Sequence, residues 1–329
     1  MRIPDFGSVS VLVVGDLIAE RWIRGVAEGV ASEAPSIVLR HERDGIAAGG
    51  AALLARHARA LGADVSLLGV LGRDATGREL LNLIESEGID TSGVELVPGA
   101  ATATRTRVLA GGRRRPLRQI LRIDRPPPAR PDAETRARVA ARAYALGESV
   151  DAMVVADEDL GTVGPELGAV AAELARTGRI AVLDPAPSTE GFAGLSALVL
   201  GEDEVERAGG DWRRGAEKIL EISGARFLLV TRGRLGMALF GKELPEGGIA
   251  VEAAGPAAGE EIHGAGASST AVFGLGLAAG LAASEAMVLA NAAAGVVASG
   301  EAHGTCDPPR LAGAAATAPA PVRLAAVDR

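Results

Sequence analysis

The residues best suited to chemistry lie in EEIHGAGASSTAVFGLGLAAGL, from Glu260 to Leu281. A glycine-rich turn there opens a long alanine-rich helix. The N–H groups of Gly264, Ala265 and Gly266 would stand at the positive end of that helix, as an anion hole for a phosphate in transfer. Small residues at a helix start also serve close packing, and short glycine patterns recur by chance. Gly264, Gly266 and Ser269 can be read as a degenerate GxGxxG dinucleotide fingerprint. GPAAGEEIH gives no clear strand before the turn, however, and the segment is far from a first βαβ unit, so hydride transfer is the weaker reading.

A turn of this kind needs a sheet to hold it. Short aliphatic runs at 11–16, 64–72, 151–157, 179–184, 197–201 and 226–233 read as buried strands, several ending in Asp or Gly. Between them AALLARHARALG, GRELLNLIESEG, AETRARVAARAYALG and GPELGAVAAELARTG carry apolar residues at helical spacing and stop at glycine. That alternation predicts an α/β fold with helices covering a mostly parallel central sheet, and ligands at the carboxyl ends of its strands. Residues 22–46 and 101–124 break the pattern with alternating apolar and polar residues, and predict a small antiparallel lid. We expect one domain over 1–310, with the Ala/Pro-rich 311–329 as a loose tail.

Composition narrows the function. The chain has 329 residues, 48% hydrophobic and 23% charged, enough for a large core. A net charge of -8 argues against nucleic acid or an anionic membrane surface as partner. With Cys306 as the single cysteine and His41, His57, His263 and His303 scattered, neither a disulfide within the chain nor a zinc-type cluster is expected. The apolar stretch near the N-terminus is too short for a signal peptide, and 270–298 is broken by Ser284, Glu285 and Asn291 below a membrane-spanning run. We expect a cytoplasmic protein.

Taken together, the segments resemble the ribokinase (PfkB) family, and among it the bacterial heptose-7-phosphate kinases. GAGASSTAVFGLGLAAG followed by ANAAAGVVASGEAHGT is similar to that family's GAGDT…ANAAAG. VLVVGDLIAERW, ASEAPSIV and AAGGAALLARHARALGADVSLLGVLGRD continue the likeness, as do VLDP at 182–185 and LLVTRGRLGM at 228–237. The resemblance runs from about Val11 to Pro308. It implies a three-layer α/β/α ribokinase-like fold, a β lid that pairs two chains, ATP with Mg2+ as cofactor, and phosphoryl transfer to a sugar hydroxyl. For the heptose kinases the acceptor is the anomeric hydroxyl of a heptose 7-phosphate.

Carried over singly, the site residues are of two kinds. The resemblance puts substrate-binding roles on Asp16, Glu20, Gly49, Gly50, Leu53 and Arg107, and nucleotide-binding roles on Gly201, Glu204, Thr231, Gly233, Gly236, Asn291 and Gly295. Glu204 is also an indirect contact to Mg2+. The family's general-base aspartate falls on Ala267, a sugar-contacting Asn on Leu53, an Asn of the NxxE motif on Gly201, and the lysine of SDYAKG is absent from ADEDLG at 156–161. A methyl group accepts no proton, and losing a positioned base costs about 10²–10⁴ in rate. The sequence therefore suggests a kinase fold that still binds nucleotide or sugar phosphate and is impaired in transfer. The alternative is an active kinase whose base is Glu261, Asp157 or Glu20. Arg105, Arg107, Arg113, Arg114, Arg115, Arg118 and Arg122 make the lid basic, which suits either a solvated hairpin face or, at Arg107, the distal phosphate of a sugar phosphate.

Overall fold

The computed structural model describes residues 3–112, 115–184, 191–255, 264–300 and 304–324. In chain order the elements are β1 (Ser10–Val30), β2 (Ile37–Gly50), α1 (Ala51–Ala60), β3 (Asp64–Gly72), α2 (Ala75–Ser86), β4 (Glu95–Val97), β5 (Thr104–Gly112), β6 (Arg115–Arg125), α3 (Ala133–Gly147), β7 (Ala152–Ala156) and α4 (Pro165–Arg176). There follow β8 (Ile180–Asp184), β9 (Ala197–Gly201), α5 (Glu202–Gly209), α6 (Trp212–Ser223), β10 (Phe227–Thr231), β11 (Met237–Gly241), β12 (Ile249–Val251), α7 (Ala265–Ala278), α8 (Ala283–Ala298), α9 (Pro308–Ala316) and β13 (Val322–Arg323). The central sheet runs β13-β12-β11-β10-β9-β8-β7-β1-β3-β4. It is parallel from β10 to β4, and the three pairings from β10 to β13 are antiparallel.

Strand alternation sorts the core into two layers, because successive side chains leave a strand on opposite faces. Val11, Val13, Val154, Ala156 and Val182 join one cluster with residues of α1, α7 and α8. Leu12, Val14, Met153, Val155, Ala181 and Leu183 join the other, against α3, α4, α5 and α6. The three-layer α/β/α arrangement expected from the sequence is therefore present. Burying such aliphatic side chains contributes about 1.5–3 kcal/mol each, before the entropy of ordering them.

The lid grows directly out of this sheet. The first residues of β1, Ser10 to Asp16, pair with β3 and β7. The same strand then continues beyond the sheet edge, pairing antiparallel with β2 and parallel with β5, while β6 completes the lid beside β5. The two expected lid insertions thus form one sheet. Within the stretch 311–329, expected to be a loose tail, the described residues 311–324 complete α9 and form β13. Asp307 caps α9 by accepting from the Arg310 N–H at 2.8 Å, Pro308 fits the first helical turn, Leu311 is fully buried, and β13 extends the sheet edge beside β12.

Candidate active site

The loops and helix starts at the carboxyl edge of the sheet bring most of the expected residues together. Gly50 has φ +56°, and a Cβ there would lie 2.2 Å from the Asp16 carbonyl oxygen, so only glycine lets β2 turn into α1 across the end of β1. Gly49 and Gly50 pair with Ile18 and Leu17 in the lid register. Leu53 is buried on α1, facing Gly264.

Two acidic residues expected to meet substrate are already engaged. Asp16 is buried and accepts from the backbone N–H groups of Glu158, Leu160 and Thr162 at 3.0, 2.9 and 2.9 Å, so it holds the turn after β7. Glu20, with no exposed surface, meets Arg107 at 2.8 Å and Arg105 at 3.3 Å. Arg105 also reaches Glu158 at 2.9 Å and Asp124 at 3.6 Å, and the remaining Arg107 nitrogen donates to Gln119 at 2.8 Å. Arg107 is thus bound into an ionic network under the lid. Arg122 pairs with Asp124. Arg113, Arg114, the Arg115 side chain, Glu260, Glu261 and His263 lie outside the described residues.

The nucleotide-side residues converge on a cavity of about 540 Å³. It is lined by Thr231, Gly233, Gly236, Asn291 and Gly295 together with Ala265 and Gly266, joining three separated stretches of sequence. Gly295 is required there by close approach, since a Cβ would fall 2.0 Å from the Ala254 carbonyl oxygen. Asn291 is buried and donates from Nδ2 to the Glu252 carbonyl at 2.8 Å, pinning α8 to the chain after β12. Gly201 and Glu204 sit at the neighbouring start of α5 and are not in the cavity lining. Glu204 accepts from the Gly201 N–H at 2.7 Å, so it caps its own helix, and burial raises its carboxyl above the usual range.

The N-terminus of α7 opens into this cavity. Gly264 occupies the cap position with φ +85°, no side chain among the described residues caps the helix, and the first intrahelical bond is the Ser268 N–H to the Gly264 carbonyl. The N–H groups of Ala265, Gly266 and Ala267 are those a helix start leaves for a ligand, and among the described residues nothing lies within 4 Å of the Cβ position at Gly266.

Three ionisable groups around this point were not assigned roles by sequence reasoning, or were placed differently. Asp184 ends β8 in register with Ala156, and burial pushes its carboxyl up to about 8. Asp157 is pushed up to about 6 by burial and by the nearby Asp16 charge, and accepts from the Asp159 N–H at 2.9 Å. His57, 1% exposed on α1, has its Nε2 3.6 Å from the Cβ position of Gly264 at the start of α7. Burial, aided by the Arg56 charge, lowers its pKa to about 3. Among the described residues no group of three His, Cys, Asp or Glu side chains could hold a metal ion.

A fold with the carboxyl edge, lid and open helix start so arranged can be compared with known proteins. The pattern described as pfkB family carbohydrate kinase matches residues 9–310. The chain belongs to that family. It is 33% identical over 319 residues to the bifunctional protein HldE of Geobacter sulfurreducens, covering 93% of this chain and 63% of that protein. The HldE of Desulfatibacillum aliphaticivorans is 30% identical over 315 residues, with the same coverage of each. The chain therefore spans less than two thirds of the curated relatives it matches. A ribokinase of Arabidopsis thaliana complexed with ribose and ATP superposes with a TM-score of 0.70 at 18% identity, covering 93% of this chain and 98% of that one. A protein described as a putative ribokinase from Agrobacterium tumefaciens gives 0.73 at 22% identity, covering 94% and 97%. These structural likenesses place the PfkB-family chain in the ribokinase-like fold.

Proposed function

We propose that this PfkB-family chain binds ATP in the cavity between β10, α8 and the start of α7, binds a heptose-7-phosphate-like sugar phosphate beneath the lid, and transfers the phosphoryl group slowly. The observation that carries the binding half is the convergence of Thr231, Gly233, Gly236, Asn291 and Gly295 with the uncapped N–H groups of α7 around one cavity. Its volume falls within the roughly 300–1,000 Å³ usual for small-ligand sites. The slow half rests on Ala267, which stands where the family resemblance puts a general base. The helix-start donors would still stabilise negative charge developing on the moving phosphoryl oxygens.

The described carboxylates form no resident metal cage, so Mg2+ would arrive with the nucleotide, held mainly by its phosphates and water. Arg105 and Arg107, neutralised by Glu20, Glu158 and Asp124, favour a role in stiffening the lid over direct capture of a phosphate. The reading places the protein in the cytoplasm; no helix among the described residues is long and apolar enough to cross a membrane.

The lid has two unlike faces, which favours a homodimer formed through it. Glu20, Arg105 and Asp124 share one face by register, whereas Ile23, Val108 and Leu121 align across β1, β5 and β6 on the other. Ile23, Leu121 and Ile123 are exposed there.

The test is calorimetry with ATP and Mg2+, alongside a phosphoryl-transfer assay on D-glycero-D-manno-heptose 7-phosphate and other sugar phosphates, for the natural protein and Ala267→Asp. Binding by both, with transfer about 10²–10⁴ faster in the variant, is the expected result. Absence of nucleotide binding overturns the reading, and equal rates show that the base lies elsewhere.

A further inference from the structure

Four carboxylates, Glu20, Glu158, Asp157 and Asp184, lie on β1 past its sheet segment or at and after the ends of β7 and β8, and geometry separates them. Glu20 is held by two arginines and Glu158 by Arg105. Asp157 follows Ala156, whose side chain belongs to the α7 layer, so alternation turns Asp157 to the opposite face, toward Asp16, Asp159 and Arg130. Asp184 differs. Val182 packs in the α7 layer and Leu183 in the other, so Asp184 turns back toward α7. The Thr270 hydroxyl on α7, which donates to the Gly266 carbonyl at 3.3 Å, acts on the Asp184 carboxyl against the effect of burial. Thr270 is three residues from Ala267, and positions three apart lie on one helix face.

We infer that Asp184 is the proton acceptor that serves phosphoryl transfer in this chain in place of the group missing at residue 267, an inference that rests on the kinase reading above. In the step, the acceptor hydroxyl gives its proton to a carboxylate oxygen of Asp184. The hydroxyl oxygen forms a bond to the γ-phosphorus, and the bond from that phosphorus to the bridging oxygen breaks, its electron pair leaving with ADP. Asp184 then releases the proton to water. The groups facing Asp184 are the Thr270 hydroxyl on α7, Glu158 on the turn after β7 and Glu204 on α5. Burial above all, with the two acidic neighbours adding to it, raises the carboxyl to about 8, so its base form is scarce at neutral pH. A slow reaction that quickens with alkali follows.

The experiment is kcat/KM against pH, with ATP, Mg2+ and heptose 7-phosphate, for the full chain, Asp184→Asn, Ala267→Asp and the double variant, with nucleotide affinity measured on each. The natural protein should quicken as pH rises toward about 8. Asp184→Asn should lose about 10²-fold or more of that turnover with nucleotide affinity unchanged. Ala267→Asp should move the alkaline limb to lower pH and make turnover insensitive to Asp184→Asn. Asn matches Asp in size and cannot ionise, so the variant should fold at least as well at neutral pH, which thermal unfolding checks. If the natural protein turns over and Asp184→Asn does not slow it, the assignment falls. It falls alone, too, if Ala267→Asp is active and the natural protein is inert. If neither turns over although ATP binds, the kinase reading falls with it.

Discussion

The Nε of Arg107 lies 2.8 Å from a carboxylate oxygen of Glu20, in a place where Glu20 has no exposed surface and the Arg107 side chain keeps 12% of its own. The pair joins residues 87 apart in sequence, tying β5 to the strand that carries the lid out of the central sheet. Removing one partner of a buried pair leaves an uncompensated charge and costs about 3–5 kcal/mol. Arg107→Ala should fall at the lower end, because Arg105 still faces Glu20 at 3.3 Å, and so should Glu20→Ala, which takes the carboxylate from Arg107 but leaves Arg105 paired with Glu158 and Asp124. Denaturant unfolding measures both. A loss below about 1 kcal/mol for Glu20→Ala would show that water enters the network freely.

The approach of Gly295 to Ala254 gives a second prediction. With a Cβ position 2.0 Å from backbone oxygen, Gly295→Ala forces α8 away from the segment after β12, a strain of about 1–3 kcal/mol. Both elements line the 540 Å³ cavity, so nucleotide affinity should drop along with stability. Gly266→Ala, with nothing among the described residues within 4 Å of its Cβ position, should leave stability nearly unchanged and impair only ligand binding at the helix start. Unfolding midpoints and calorimetric titration with ATP separate the two. Equal effects on both variants would mean that the cavity is not the nucleotide site.

Much of this arrangement was legible in the sequence because parallel strands buried on both faces read as aliphatic runs. VLVVGD covers β1 from Val11 to Asp16, RIAVLD and RFLLVTRG contain β8 and β10, and the glycine turn before α7 carried the helix start. The face on which an end-of-strand aspartate emerges was not legible. Asp16, Asp157 and Asp184 look alike in sequence, and only register with neighbouring strands turns Asp184 toward α7 and the other two away. Glu20 and Arg105 are 85 residues apart, and no local pattern announces their pairing. The short strands β11 and β12 and the helices α5 and α6 drew no expectation. At the C-terminal end, alanine and proline suggested loose chain, but Asp-Pro-Pro at 307–309 also fits a capped helix start.

Stability should fall in acid through His57. Its folded pKa, about 3, is below the usual 6.5, so the unfolded chain takes up the proton first. The stability associated with the neutral ring is complete above about pH 6.5 and is lost as pH falls toward 3, with a slope of at most about 1.4 kcal/mol per pH unit from this group. His57→Leu removes the titrating ring and should flatten the curve between pH 6.5 and 4, while keeping an apolar side chain in the same buried place. Urea unfolding across that range checks it. An unchanged slope in the variant would show that other groups dominate acid denaturation.

The outward lid face gives the last prediction. Val30 and Ile37 pair across β1 and β2 and are 69% and 57% exposed, and Leu121 on β6 is 53% exposed. Ile23 and Ile123, on the face of Leu121, are exposed as well, so several large apolar side chains stand in water on one small sheet, and exposed apolar surface of this kind marks interfaces. The opposite face is ionic and turned to the cleft, so pairing of two chains would use the apolar one. The protein should therefore run as a dimer in light scattering at micromolar concentration. Ile23→Arg with Leu121→Arg, both on solvent-facing positions, should yield folded monomers whose unfolding midpoint, measured at equal protein concentration, is lower only by the stability that association adds. If the natural protein is monomeric at all concentrations, or the arginine variant remains dimeric, the lid does not pair the chains.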